Sequence, residues 1–191
     1  MILCDWQIAE LGKKGMLAPF RPENLNAGSL DVTLGNKFKV LAPVYTYTPA
    51  EEGYLQICTG IKDIDLSEPG SFTYQECETE EFILEPNGFV LAVLEEEIKL
   101  PDNVSAKLFG RSSWGRVGLD NSSCASWLDA GFHGSCVLEI KNLTNYRQLL
   151  RAGSRCGQLV FYPHEMPDVP YGEKKTSKYQ HQKGVQGSKG L

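Results

Sequence analysis

Short apolar runs of period two, separated by Gly, Pro and Asn, limit this chain to a fold made mainly of β-strands. Leu30, Val32 and Leu34 alternate with polar residues, and such alternation places every second side chain on the buried face of a strand. Because many short strands separated by turn residues are typical of a sandwich or barrel, the sequence predicts an all-β fold, with a turn at Gly35-Asn36. Further runs of this kind lie at Phe38–Val40, Phe82–Leu84, Phe89–Leu94, Ser105–Phe109, Cys136–Ile140 and Gln158–Tyr162.

The N-terminal segment departs from this pattern. Apolar residues between Asp5 and Leu17 recur at roughly helical spacing, so residues 1–20 are predicted to contain a short helix. The 191 residues are enough for one well-buried core, and we see no repeat or linker that would divide them. We therefore expect a single domain over residues 1–191.

Composition argues against several classes of protein. The net charge of −5 disfavours a nucleic-acid partner, because duplex-binding proteins usually present a basic face. No apolar stretch approaches the ~20 residues of a membrane span, and the first residues lack the features of a signal peptide. We expect a cytoplasmic protein with no membrane association and with reduced cysteines. Its six cysteines form no Cys-x-x-Cys pair and its three histidines are scattered, so a zinc site is not expected.

The C-terminal residues 172–191 carry charge of the opposite sign to the rest of the chain. Five lysines stand against one acid, which gives this tail a charge of +4 and leaves −9 on the remainder of the −5 total. Composition alone favours a solvated, disordered tail. The functional alternative is a flexible cationic lid that closes on an anion.

The segment from Gly110 to Glu139 contains most of the side chains that are suited to binding an anion or to catalysis. Arg111 and Arg116 supply guanidinium donors suited to phosphate oxygens, and the hydroxyls of Ser112 and Ser113 add neutral donors. If these groups converge with a carboxylate that can deprotonate water, the segment predicts hydrolysis on an anionic small molecule. The alternative is a surface connection with a structural arginine.

Glu139 interrupts a strand whose neighbouring positions are apolar. It follows Val137 and Leu138 and precedes Ile140. Such an acid is either an exposed strand residue or a partly buried carboxylate that serves as a base. Asp129, ten residues earlier, belongs to the predicted tight turn that leads into this strand.

Taken in order, these motifs resemble the dCTP deaminases of the trimeric dUTPase-like superfamily. The resemblance covers roughly residues 25 to 188, with compatible spacing between its parts. It rests on Gly28-Ser29-Leu30-Asp31-Val32, Leu100-Pro101-Asp102-Asn103, Gly110-Arg111-Ser112-Ser113, Arg116, Asp129-x-Gly131-Phe132-x-Gly134, Leu138-Glu139, Gly157-Gln158-Leu159 and Lys178-Tyr179-x-x-Gln182.

The resemblance implies a distorted β jelly roll, or β-clip, with a short N-terminal helix. It also implies a homotrimer with active sites between subunits. Glu139 matches the catalytic proton acceptor and donor, and Ser112 and Arg116 match catalytic residues of the phosphate-binding turn. The remaining substrate contacts that we expect from it are Arg111, Ser113, Ala125, Asp129, Val137, Leu138, Gln158, Tyr171, Lys178 and Gln182. The basic tail at residues 172–191 becomes the closing lid.

The family's chemistry implies deoxycytidine and deoxyuridine nucleotides as ligands and no zinc, with Mg²⁺ carried by the triphosphate. The segment Ser126–Phe132 is closer to the branch that also hydrolyses the product to dUMP and pyrophosphate, which supplies dUMP for thymidylate synthesis. Ser122-Ser123-Cys124 departs from the usual His-x-Thr of the family. Two alternatives therefore stay open: a dUTPase or a deaminase of another cytidine nucleotide, and a catalytically silent regulatory trimer that binds nucleotides.

Overall fold

A computed structural model of the protein describes residues 1–41, 45–49, 54–58, 64–68, 72–121 and 125–190. The altered segment Ser122-Ser123-Cys124 lies outside the described residues. The helices are α1 (Asp5–Lys13), α2 (Ser112–Gly115) and a 3-10 turn at Pro22–Asn24. The strands are β1 (Leu17–Ala18), β2 (Leu25–Asn26), β3 (Ser29–Leu41), β4 (Tyr45–Pro49), β5 (Tyr54–Cys58), β6 (Tyr74–Glu78), β7 (Glu81–Leu84), β8 (Phe89–Lys99), β9 (Val104–Gly110), β10 (Leu119–Asp120), β11 (Trp127–Leu128), β12 (His133–Asn142), β13 (Gln148–Arg151) and β14 (Arg155–Pro163).

The predicted N-terminal helix forms as α1, which is one turn shorter than the apolar spacing suggests. Its first turn is capped by Gln7, whose Oε1 accepts a hydrogen bond from the backbone N–H of Cys4 at 3.1 Å. Ile8 is the fully buried anchor of the helix against the core. The helix ends at Lys13, and Gly15 has a φ of +91°, a conformation that glycine adopts without a steric penalty. In the described part of the chain, no helix is long and apolar enough to cross a membrane.

Ten of the fourteen described strands form a curled antiparallel sheet, which confirms the mainly β prediction, and β4-β5 and β7-β13 form two separate two-stranded sheets. The order along the sheet is β10-β12-β8-β3-β14-β9-β11, with β1 on β8 and both β2 and β6 on β3. The long strand β3 joins the two halves of this sheet. Its first part, Leu30–Thr33, pairs with β14, whereas Leu34–Lys39 pairs with β8. The core lies inside the curl, where Leu34, Phe38 and Phe161 are almost fully buried.

The predicted turn at Gly35-Asn36 is wrong, because β3 continues through both residues. The register between β3 and β8 shifts between Leu34 and Phe38, which marks an irregularity of the strand rather than a reversal. A Cβ on Gly35 would lie 3.0 Å from the carbonyl oxygen of Val93. Glycine therefore serves a close approach of two strands at this position.

Strand β12 places Glu139 on the face opposite the core. Residues Cys136, Leu138 and Ile140 are buried, and the alternating positions Val137 and Glu139 are half-buried on the other face. Each fully buried Leu or Ile contributes roughly 1.5–3 kcal/mol to folding. Burial of these side chains therefore determines which face of β12 packs against the core, and the Glu139 side chain must point to the other face.

Candidate active site

The half-buried face of β12 lines a cavity of about 450 Å³. This cavity brings together six of the residues that the sequence resemblance identifies as site residues. They come from β12, from the segment that precedes it and from the C-terminal part of the chain. The six are Ala125, Asp129, Val137, Glu139, Tyr171 and Gln182.

Glu139 presents a carboxylate oxygen whose hydrogen-bonding capacity is unused. Its Oε2 is buried and accepts no hydrogen bond, and the same holds for Oε1 of Gln182. Two of the three such atoms in the described residues thus belong to residues that line one cavity. Because a buried acceptor without a donor costs roughly 1–3 kcal/mol, both atoms indicate a place for a ligand that donates hydrogen bonds.

The charge of Glu139 acts on the neighbouring Cys136. Burial raises the pKa of the Cys136 thiol to about 12, and the negative charges of Glu139 and Glu96 act in the same direction. Cys136 is therefore a neutral thiol at physiological pH and is not a nucleophile of this cavity. Cys156 is buried, Cys4 is partly buried and Cys77 is exposed, and these three are also free thiols.

Leu138 does not contribute its side chain to the cavity. The side chain is fully buried in the hydrophobic core, between the cavity-lining Val137 and Glu139 in sequence. The two-residue period of the strand requires this arrangement. A contact between Leu138 and a ligand in the cavity could therefore involve its backbone only.

The C-terminal tail lies across the start of β12, beside the cavity. The backbone N–H of Ser135 donates to the carbonyl oxygen of Gln182 at 2.9 Å, and Nε2 of Gln182 donates to the carbonyl oxygen of Ser135 at 2.6 Å. The two backbones can approach closely because residue 134 is glycine. A Cβ on Gly134 would lie 2.8 Å from the carbonyl oxygen of Gln182.

The tail is also anchored by apolar contacts. Val185 is 5% exposed and packs in a small cluster with Leu91, Val93 and Tyr74. A Cβ on Gly187 would lie 2.3 Å from the Tyr74 ring. Sequence reasoning missed these contacts, because a single valine in a polar segment gives no periodic signal.

Tyr171 connects the body of the protein to this tail. Its backbone N–H donates to the carbonyl oxygen of Ala130 at 2.9 Å, and its hydroxyl accepts from the backbone N–H of Tyr179 at 3.2 Å. Lys178, in contrast, does not line the cavity. It is exposed, and its Nζ donates to the carbonyl oxygen of Gly190 at 2.7 Å.

A second cluster contains the predicted phosphate-binding residues, and none of them lines the Glu139 cavity. Arg111 forms an ion pair of 3.4 Å with the buried Asp31, and Oε1 of Gln158 accepts a hydrogen bond from the Ser29 hydroxyl at 3.2 Å. The two residues lie near one another because Gly110 and Gly157 are partners in the β9–β14 ladder. The remaining members, Ser112, Ser113 and Arg116, are exposed on and just after α2.

Two further observations concern ligands. Another cavity, of about 530 Å³, lies between β3 and β8, near Asn36 and Glu95, and none of the predicted site residues lines it. Within the ranges that the structure describes, no three His, Cys, Asp or Glu side chains are grouped so as to hold a metal ion.

Comparison with known proteins identifies relatives over nearly the whole chain. Residues 2–164 match the family model described as dCTP deaminase-like. A protein of Methanospirillum hungatei named "dCTP deaminase, dUMP-forming" is 37% identical over 185 residues, which cover 96% of this chain and 92% of that protein. A Streptomyces griseus protein with the same name is 35% identical over 193 residues, which cover 99% of this chain and 95% of its own.

A solved structure shares the fold. The crystal structure of 2′-deoxycytidine 5′-triphosphate deaminase from Agrobacterium tumefaciens superposes with a TM-score of 0.61 and 25% sequence identity over 84% of this chain. The match spans about half of that longer chain, 48% of its length. The fold that the sequence resemblance predicts is thereby confirmed.

Proposed function

Because the chain belongs to the dCTP deaminase-like family, we propose that it deaminates dCTP and releases dUMP. The observation that carries the proposal is Glu139 itself, which lines the cavity and whose buried Oε2 has no hydrogen-bond donor. Relatives named "dCTP deaminase, dUMP-forming" that match more than nine-tenths of the chain support the choice of substrate and product.

In the first step Glu139 acts as a general base. It takes a proton from a water molecule, and the hydroxide attacks C4 of cytosine. The glutamic acid then gives this proton to N3, where negative charge develops. Glu139 next removes the proton of the new hydroxyl group and transfers it to the amino group, which leaves as ammonia. The balance is dCTP plus water to dUTP plus ammonia, and a single carboxylate can perform each transfer in turn.

The cluster around Arg111 supplies the phosphate contacts in this proposal. Exposed Ser112, Ser113 and Arg116 present hydroxyl and guanidinium donors, and Asp31 holds the Arg111 guanidinium in place. This cluster lies outside the Glu139 cavity of its own chain. We therefore place it in the cavity of a neighbouring chain. The homotrimer with sites between subunits that the family resemblance implies would bring the two groups together.

The second step hydrolyses dUTP to dUMP and pyrophosphate. A second water molecule attacks the α-phosphorus, and the bond to the bridging oxygen of pyrophosphate breaks. The substrate is the magnesium complex of the nucleotide, in which the cation reduces the charge of the triphosphate. Arg111 and Arg116 stabilise the charge that develops on the leaving pyrophosphate.

Product analysis tests both steps. The purified protein is incubated with dCTP and Mg²⁺, and uridine nucleotides and pyrophosphate are quantified over time by chromatography. We expect dUMP and pyrophosphate to appear in equal amounts with little free dUTP. Accumulation of dUTP alone would remove the second step from the proposal. Turnover of dUTP but not of dCTP would favour a dUTPase instead.

A further inference from the structure

Trp127 is held beside Asp129 in the Glu139 cavity by a hydrogen bond. Its indole Nε1–H donates to Oδ1 of Asp129 at 3.0 Å. The two residues are two positions apart in an extended segment, so their side chains point the same way, and both line the cavity. An indole N–H donates only, so this contact fixes the carboxylate as its acceptor.

The fold holds the indole ring in this position from two sides. The backbone of Trp127 is paired with Lys107 in the β9–β11 ladder. The Trp127 ring contacts the Tyr162 ring of β14, with centroids 5.6 Å apart and planes inclined by 41°. The ring is nevertheless 51% exposed, so burial explains its position only in part. Rigid support of a polar group is what a preorganised binding site needs.

The hydrogen bond leaves acceptor capacity on Oδ2 of Asp129. A 2′-deoxynucleotide that carries its phosphates on the 5′ position has one sugar hydroxyl, at C3′. We propose that Trp127 is a positioning residue that orients Asp129, so that Asp129 accepts a hydrogen bond from the 3′-hydroxyl of the nucleotide. This inference rests on the proposed function and on Asp129 as the substrate contact that the sequence resemblance implies, and it adds to them the residue that orients this contact.

Comparison of two substrates tests the role of Trp127. Steady-state kinetics are measured for dCTP and for 2′,3′-dideoxycytidine triphosphate, which lacks the 3′-hydroxyl, with the natural chain and with Trp127→Phe. Phenylalanine keeps an aromatic ring but has no N–H donor. We expect kcat/KM for dCTP to fall about tenfold, mainly through KM, because the 3′-hydroxyl then meets a carboxylate that no hydrogen bond from Trp127 holds in place. For the dideoxy substrate the two proteins should agree within about twofold.

An equal loss with both substrates would show that Trp127 acts through packing, and no loss with dCTP would show that it does not orient Asp129. Either result overturns the inference. The matched control is Trp6→Phe, at a 65% exposed tryptophan of α1, which should leave both substrates unaffected.

A double-mutant cycle gives a second measurement. It remains informative if Trp127→Phe moderately destabilises the fold, because the same substitution is compared in two backgrounds. In an Asp129→Ala background, Trp127→Phe should cause no further change in kcat/KM for dCTP. Fully additive losses would overturn the inference. Conversion of dCTP by the natural chain tests the proposed function separately. A natural chain that neither binds nor converts dCTP would reject both.

Discussion

Glu139 combines two properties that a general base requires. Its carboxylate is half-buried with one unused acceptor oxygen, and its backbone lies within a ten-residue strand that pairs with β8 and β10. The strand limits the motion of the side chain, because its neighbours Leu138 and Ile140 are fully buried. A base held in this way loses little entropy when it approaches a water molecule and a pyrimidine ring.

Replacing Glu139 by glutamine should abolish most deamination. The change keeps the size of the side chain and an acceptor oxygen, but an amide cannot accept the proton of the attacking water. We expect kcat with dCTP to fall by about 100-fold or more, with nucleotide binding retained. Ammonia release and isothermal titration measure the two effects. The matched control is Glu10→Gln at an exposed position of α1, and near-normal turnover by Glu139→Gln would remove Glu139 from the mechanism.

At the scale of elements, the tail differs from what its composition suggests. Five lysines predict a solvated segment, yet Val185 is buried and residue 182 is hydrogen-bonded to Ser135 through both backbone and side chain. The contacts with the body are therefore made by apolar and amide groups. Lys178 and Lys183 are exposed and make no part of these contacts, and Nζ of Lys178 donates to Gly190 within the tail.

Loss of the Val185 anchor should open the tail. Serine at this position removes apolar burial of about 2 kcal/mol and introduces a hydroxyl into the same space, which shifts the balance between the closed and open tail by roughly 30-fold. We expect Val185→Ser to raise KM for dCTP about tenfold and to accelerate tryptic cleavage after Lys183. The melting temperature of the body should change little, since the tail lies outside the main core.

Val169→Ser provides the matched control for this experiment. Val169 is 56% exposed, so the same substitution removes little burial there. It should change neither KM nor the rate of cleavage after Lys183. Equal behaviour of the two variants would show that Val185 does not hold the tail.

Strand positions could be predicted from the sequence wherever alternation was regular. Leu30, Val32 and Leu34 of β3 alternate with polar residues in the sequence, and all three are buried. The direction of Glu139 stayed open, because its neighbours Val137, Leu138 and Ile140 are all apolar. Gly35 could not be interpreted in this way, because a turn and a close strand approach both require glycine and only the partner strand decides between them. The hydrogen bond from Trp127 to Asp129 and the burial of Val185 were likewise not predicted. Both depend on side-chain directions or partners far away in sequence.

At the scale of the whole molecule, the predicted site residues divide into two groups. Glu139, Asp129 and Gln182 line the cavity, whereas Arg111 and Arg116 belong to the group around α2 and β9. The ion pair between Arg111 and the buried Asp31 ties the second group to its own strands. A triphosphate nucleotide has its base and its phosphates at opposite ends, so two separate groups from two chains can hold one ligand.

Subunit mixing tests whether two chains share each site. Arg116→Ala and Glu139→Gln chains are each inactive by expectation, and a mixed trimer recovers a site wherever intact Glu139 of one chain meets intact Arg116 of its neighbour. Random assembly at equal amounts should restore about a quarter of the natural activity, measured as ammonia release after co-refolding, with light scattering to establish a trimer.

As a control, the natural chain is mixed with a chain that carries both substitutions. Shared sites then retain about a quarter of the activity, whereas sites within one chain retain about half. If subunits exchange and the two single variants recover no activity, Arg116 and Glu139 act within the same chain or not together at all.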